Sequence, residues 1–147
     1  MYKRILLAYD GSDAGRKALL DSLDIAQWSH AELYLVAVMP NSSSLIMGSA
    51  EGGVYLDPNN DQERQKYQAV LENGFRQLAE SDLSAKGELL VGDSVEEITR
   101  FAKKIEADLI VVGHKHLDGW AARWWRGSSS PALIEHAPCS VLVAITG

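Results

Sequence analysis

Unbroken apolar runs and apolar residues at three-four spacing alternate along this chain. Ile5-Leu6-Leu7-Ala8-Tyr9 is apolar throughout and closes on Asp10-Gly11, the pattern of a strand covered on both faces and ended by a turn. Ser12 and Asp13 are N-cap residue types, and Ala14, Ala18, Leu19, Leu23 and Ala26 follow at helical spacing, which predicts a helix to about His30. Leu33 to Val38 repeats the strand pattern and stops at Met39-Pro40. Residues 41–60 are rich in Ser, Gly and Asn without sustained period, so a long loop is expected. From Asp61, the positions Tyr67, Val70, Leu71, Gly74, Phe75 and Leu78 mark one face of an amphipathic helix.

Lys86 to Val91 is a short strand, and Gly92-Asp93-Ser94 turns it into a helix for which Ser94 and Glu97 predict a capping box. Ile98, Phe101, Ala102 and Ile105 supply its apolar face. Leu109-Ile110-Val111-Val112 reads as a fully apolar strand stopping at Gly113, Pro131 to His136 as a short helix with Pro131 in its first turn, and Val141 to Ile145 as the last strand. Five strands alternating with helices imply an α/β fold with a parallel sheet, right-handed crossovers and helices on both faces. Ligands of such sheets bind beyond the carboxyl ends of the strands, where the winding reverses. Chemistry is therefore expected after the first, second and fourth strands.

Length and charge narrow the function. A chain of 147 residues with 46% hydrophobic and 23% charged positions suits one domain, residues 1–147, without internal repeat or linker. A formal charge of -6 argues against a general binder of nucleic acid or anionic membrane. Cys139 is the only cysteine, which excludes an intrachain disulfide and a multi-thiolate metal cluster and reads as an inert core thiol. The start of the chain reads as neither signal peptide nor membrane span, so a cytoplasmic protein is expected.

The segment after the fourth strand, from Gly113 to Ser130, leads into a helix and carries Lys115, Arg123 and Arg126 against Asp118. Glycine lets backbone amides approach an anion, and a helix N-terminus with serine hydroxyls adds donors, so the segment can cradle phosphate. It can equally be a turn and helix cap. Asp10 can accept from an adenine amino group or a ribose hydroxyl, or hold magnesium; it can also close the Gly11-Ser12 turn. Trp120, Trp124 and Trp125 suit a base stack or lid, or packing and a partner surface. His114 and His116 form a His-x-His pair without acidic or thiol ligands beside it, which favours solvent or anion contact over metal.

The opening Ile5-Leu6-Leu7-Ala8-Tyr9-Asp10-Gly11-Ser12, the strand Ile110-Val111-Val112-Gly113 with its loop to Gly127-Ser128, and the closing His136-Ala137-Pro138-Cys139-Ser140-Val141-Leu142-Val143 resemble the universal stress protein family from end to end. In its nucleotide-binding branch the loop runs glycine, two residues, glycine, nine residues, then glycine and Ser or Thr. Gly113, Gly127 and Ser128 match; His116 stands at the second glycine, and ten residues separate it from Gly127. Histidine can adopt positive φ at a modest penalty, its ring can obstruct a phosphate, or the ring can donate to one. The resemblance implies the strand order three-two-one-four-five, Asp10 near the base and the backbone of Val38 reading the adenine edge.

The candidate cofactor-binding residues are Ala8, Asp10 and Val38 beyond the first two strands, with Gly113, His116, Gly127, Ser128, Ser129 and Ser130 in the loop. ATP or another adenine nucleotide, with or without Mg2+, is the expected ligand of a stress-response switch. The alternative is a dimeric interaction module of the same family without nucleotide. A nucleotide hydrolase or transferase is a third class, but the chain has no Gly-x-x-x-x-Gly-Lys-Ser/Thr loop and no nameable nucleophile-base pair. In the implied order the last strand is an edge without charge or proline, so a homodimer through Val141 to Ile145 is expected.

Overall fold

The computed structural model of the protein describes residues 1–40, 61–115 and 129–146. Its elements are β1 (Arg4–Ala8), α1 (Asp13–Ser29), β2 (Glu32–Met39), α2 (Asp61–Glu80), β3 (Ala85–Val91), α3 (Ser94–Ile105), β4 (Leu109–Lys115), α4 (Ser129–His136) and β5 (Ser140–Thr146). The five strands form one parallel sheet in the order β3-β2-β1-β4-β5. The expected loop over 41–60 lies outside the described residues.

The unbroken apolar runs have a direct cause: alternate residues of each strand enter different cores. Ile5, Leu7 and Tyr9 join Leu33, Leu35 and Val111 in a cluster closed by Ala18, Leu19 and Leu23 of α1 and Leu71 and Leu78 of α2. Leu6, Val36, Ile110 and Val112 face the other way, into a cluster closed by Ile98, Phe101 and Ala102 of α3 and Leu133 of α4. Burial on both faces leaves no polar alternation to show in the sequence.

The helix ends refine the expected boundaries. Ser12 caps α1, its hydroxyl accepting from the Gly15 N–H at 3.0 Å, and His30 closes the helix in the left-handed conformation at φ 56. The cap of α3 corrects the capping box expected at Ser94 and Glu97. Asp93 is the N-cap, with its carboxylate 3.0 Å from the Glu96 N–H, while Glu97 pairs with Arg100 at 2.6 Å. Ser94 is therefore the first helical residue. A second correction concerns β4, which does not stop at Gly113 but pairs with β5 as far as Lys115 and Thr146.

Asp93→Ala is expected to cost about 1 kcal/mol, the usual value of an N-cap, whereas Ser94→Ala should stay within about 0.5 kcal/mol. Urea denaturation of both variants checks this; the reverse ranking would restore the cap to Ser94.

Candidate functional site

The strand order places β1 between β2 and β4, with α1 and α2 on one face of the sheet and α3 and α4 on the other. Beyond the carboxyl ends of these three strands, the first turn of α3 closes a cleft of about 210 Å³. Its lining is Ala8, Tyr9 and Asp10 from the end of β1, Val38 from β2, Ser94 and Ile98 from α3, and Val112 and Gly113 from β4. Ala8, Val38, Ile98 and Val112 belong to the α3 side of the core, so the cleft is the open top of that cluster. The described lining residues mix apolar groups with the side-chain polar groups of Asp10, Ser94 and Tyr9, whose hydroxyl is bonded to Asn73 and Gln77.

Asp10 is exposed and tied to the chain that follows it. One carboxylate oxygen accepts from the Ser12 N–H at 2.9 Å and from the Ser12 hydroxyl at 2.5 Å. Gly11 makes that return possible because its φ of 80 is a conformation other residues adopt only with strain. The turn-closing reading of Asp10 is thus realised on one oxygen. The other takes no hydrogen bond from a described residue, so the same side chain both fixes the turn and lines the cleft.

Gly113 lacks a side chain for a reason of its own. A Cβ built there would fall on the backbone carbonyl of Ala14 and within 2.6 Å of the Gly15 nitrogen. The first turn of α1 therefore lies directly on β4 at this point. Close helix-strand packing, independent of any anion, accounts for the glycine.

Of the nine candidate residues, Ala8, Asp10, Val38 and Gly113 line this one cleft. Ser129 and Ser130 open α4. His116, Gly127 and Ser128 lie outside the described residues, as do Trp120, Trp124 and Trp125. Tyr9, Ser94, Ile98 and Val112 also line the cleft and were not among the candidates. Ser94 and Ile98 carried a usable signal: four residues apart at the start of a helix, they share a face, and a helix following a parallel strand begins at the carboxyl edge of the sheet. Among the described residues no group of three or more His, Cys, Asp or Glu is placed to hold a metal. Cys139 is partly buried against the α3 side of the core, and burial, with Asp108 adding to it, pushes its thiol pKa up, as suits an unreactive thiol.

A parallel sheet with a cleft at the reversal of winding is the arrangement of doubly wound α/β proteins. The model of the universal stress protein family matches residues 1–144, and the chain belongs to that family. It is 32% identical over 143 residues to a universal stress protein of Methanocaldococcus jannaschii, covering 97% of this chain and 82% of the relative. To the universal stress protein YxiE of Bacillus subtilis it is 29% identical over 148 residues, covering 97% of this chain and 99% of the relative. A crystal structure of a family member from Burkholderia pseudomallei superposes with a TM-score of 0.72 at 27% identity, covering 97% and 95% of the two chains.

More distant structures share the fold and hold nucleotides. A universal stress protein in complex with cAMP superposes at 19% identity and TM-score 0.72, over 99% of both chains. One from Archaeoglobus fulgidus with dAMP does so at 19% and 0.71, over 97% of both chains. One from Arabidopsis thaliana with AMP does so at 18% and 0.67, over 99% of this chain and 92% of the other.

Gly113→Ala is expected to lower stability by about 1–3 kcal/mol, because the added methyl must displace either α1 or the end of β4. Chemical denaturation measures it; a loss below about 0.5 kcal/mol would show that α1 is not seated against β4 as described.

Proposed function

We propose that this protein binds an adenine nucleotide, ATP among them, as a ligand-dependent switch in a cytoplasmic stress response. The observation that carries the reading is the meeting of Ala8, Asp10, Val38 and Gly113 around one cleft at the point where the sheet reverses its winding. The base lies between Asp10 and Val38, and the phosphates run over Gly113 toward Gly127, Ser128, Ser129 and Ser130. The open cleft is smaller than the roughly 300–1,000 Å³ of a typical small-molecule site, which suits a nucleoside seated in it with the phosphates extending beyond it. The relatives solved with cAMP, dAMP and AMP support an adenine ligand.

The groups present suit this division of labour. A backbone edge such as Val38 reads a base without depending on its own side chain, and the free oxygen of Asp10 accepts from a ribose hydroxyl or a base amino group. Magnesium would enter with the phosphates, held by phosphate oxygens and water; Asp10, the carboxylate among the described lining residues, would be its protein ligand in place of the base or ribose contact.

The same reading includes a homodimer through β5. This strand is one edge of the sheet, its residues from Val141 to Ile145 carry no charge, and Ile145 is 54% exposed. The opposite edge, β3, is guarded by Lys86 and Glu88. An uncharged, unguarded edge invites pairing with a second copy about a two-fold axis.

Three variants test these assignments. In isothermal titration, Gly127→Asp should reduce ATP affinity by tenfold or more through repulsion of the phosphates, and unchanged affinity would move the phosphates elsewhere. In light scattering, Val143→Lys should be a folded monomer; a Val143→Lys variant that stays dimeric while Trp124→Glu dissociates would replace the strand interface with one made by the tryptophan segment.

A further inference from the structure

We propose that the Ser94 hydroxyl is a ligand contact, holding the nucleoside end of the bound nucleotide rather than its phosphates. The inference rests on the adenine-nucleotide reading and goes on to name a recognition residue contributed by α3. Ser94 lines the cleft beside Val38, Asp10 and Ile98. It is the first residue of α3, and the capping duty that a serine at a helix start usually performs is taken by Asp93. Its hydroxyl has no hydrogen-bond partner among the described residues. A serine spared from capping that lines a cleft of mixed polar and apolar surface is free to bond a ligand.

The topology says which end of the ligand it meets. The strand that feeds α3 is β3, and Gly92, between them, donates its N–H to the Met39 carbonyl at the end of β2 at 2.9 Å. The first turn of α3 is thereby held on the β2 side of the cleft, next to Val38. Gly113 belongs to β4, on the far side of β1. Ser94 thus faces the base and ribose, and the phosphates lie across the cleft from it. Ile98, one turn further along the same face of α3 and 3% exposed, provides the apolar surface beneath.

Calorimetric titration of AMP and of ATP into wild type and Ser94→Ala tests this. One lost hydrogen bond should weaken binding about three- to tenfold, by the same factor for AMP and ATP, with the melting temperature of the free protein unchanged because Asp93 retains the cap. Equal affinities in wild type and variant would overturn the contact while leaving the nucleotide reading intact. A loss confined to ATP, or clearly larger for it, would place Ser94 on the phosphates and overturn the assignment. Wild type that binds neither nucleotide would overturn the nucleotide reading, and this inference with it.

Discussion

Helix α1 lies so close to β4 that position 113 has no room for a side chain. From this contact the arrangement of the cleft follows. The first turn of α1 is pinned at the end of β4, so the short segment from Asp10 to Ser12 must turn sharply, with Gly11 at positive φ and Asp10 bonded to Ser12 across the turn. Ala14, Ala18, Leu19, Leu23 and Ala26 are buried along the same helix. The two alanines in its first half suit a helix that packs closely on its strand, and the apolar burial stabilises the seat on which the turn depends.

The second determinant is the change of face between β3 and β4. α1 and α2 cover one side of the sheet, while α3 crosses to the other and brings its first turn over β2 and β1. The cleft exists because the two directions of winding part company there. At the opposite end of the sheet the Asp108 carboxylate accepts from the N–H groups of Lys3 and Arg4 at 2.8 and 3.0 Å, which ties the start of β1 to the start of β4. Side-chain bonds to backbone fasten this end of the sheet.

The sheet was legible because β1, β2, β4 and β5 write themselves as short apolar runs, and α2 because its apolar residues keep a helical period from Tyr67 to Leu78. The strand order came from family resemblance, since periodicity says nothing about which strands are neighbours. The errors have local causes. Asp93 and Ser94 are both good caps, and Glu96 and Glu97 each complete a capping-box spacing with one of them, so two registers of the same motif compete and only the structure separates them. Gly113 looked like a strand end because glycine usually punctuates, whereas here it is kept inside β4 by the contact with α1. Asp10 follows β1, and Val38 and Gly113 lie near the carboxyl ends of β2 and β4, strands that apolar runs mark in the sequence. Ser94 and Ile98 reach the cleft from a helix on the other side of the sheet, through a contact distant in sequence.

Under the proposed function, an adenine nucleotide sits in the opening beyond β1, β2 and β4. Backbone amide NMR of the full chain during titration with AMP addresses it most directly. The account predicts saturable shifts at Ala8, Asp10, Val38, Ser94 and Gly113, with Lys3, Arg4 and Asp108 at the fastened end of the sheet unmoved. No saturable shift at any concentration, or shifts centred on the fastened end, would contradict it.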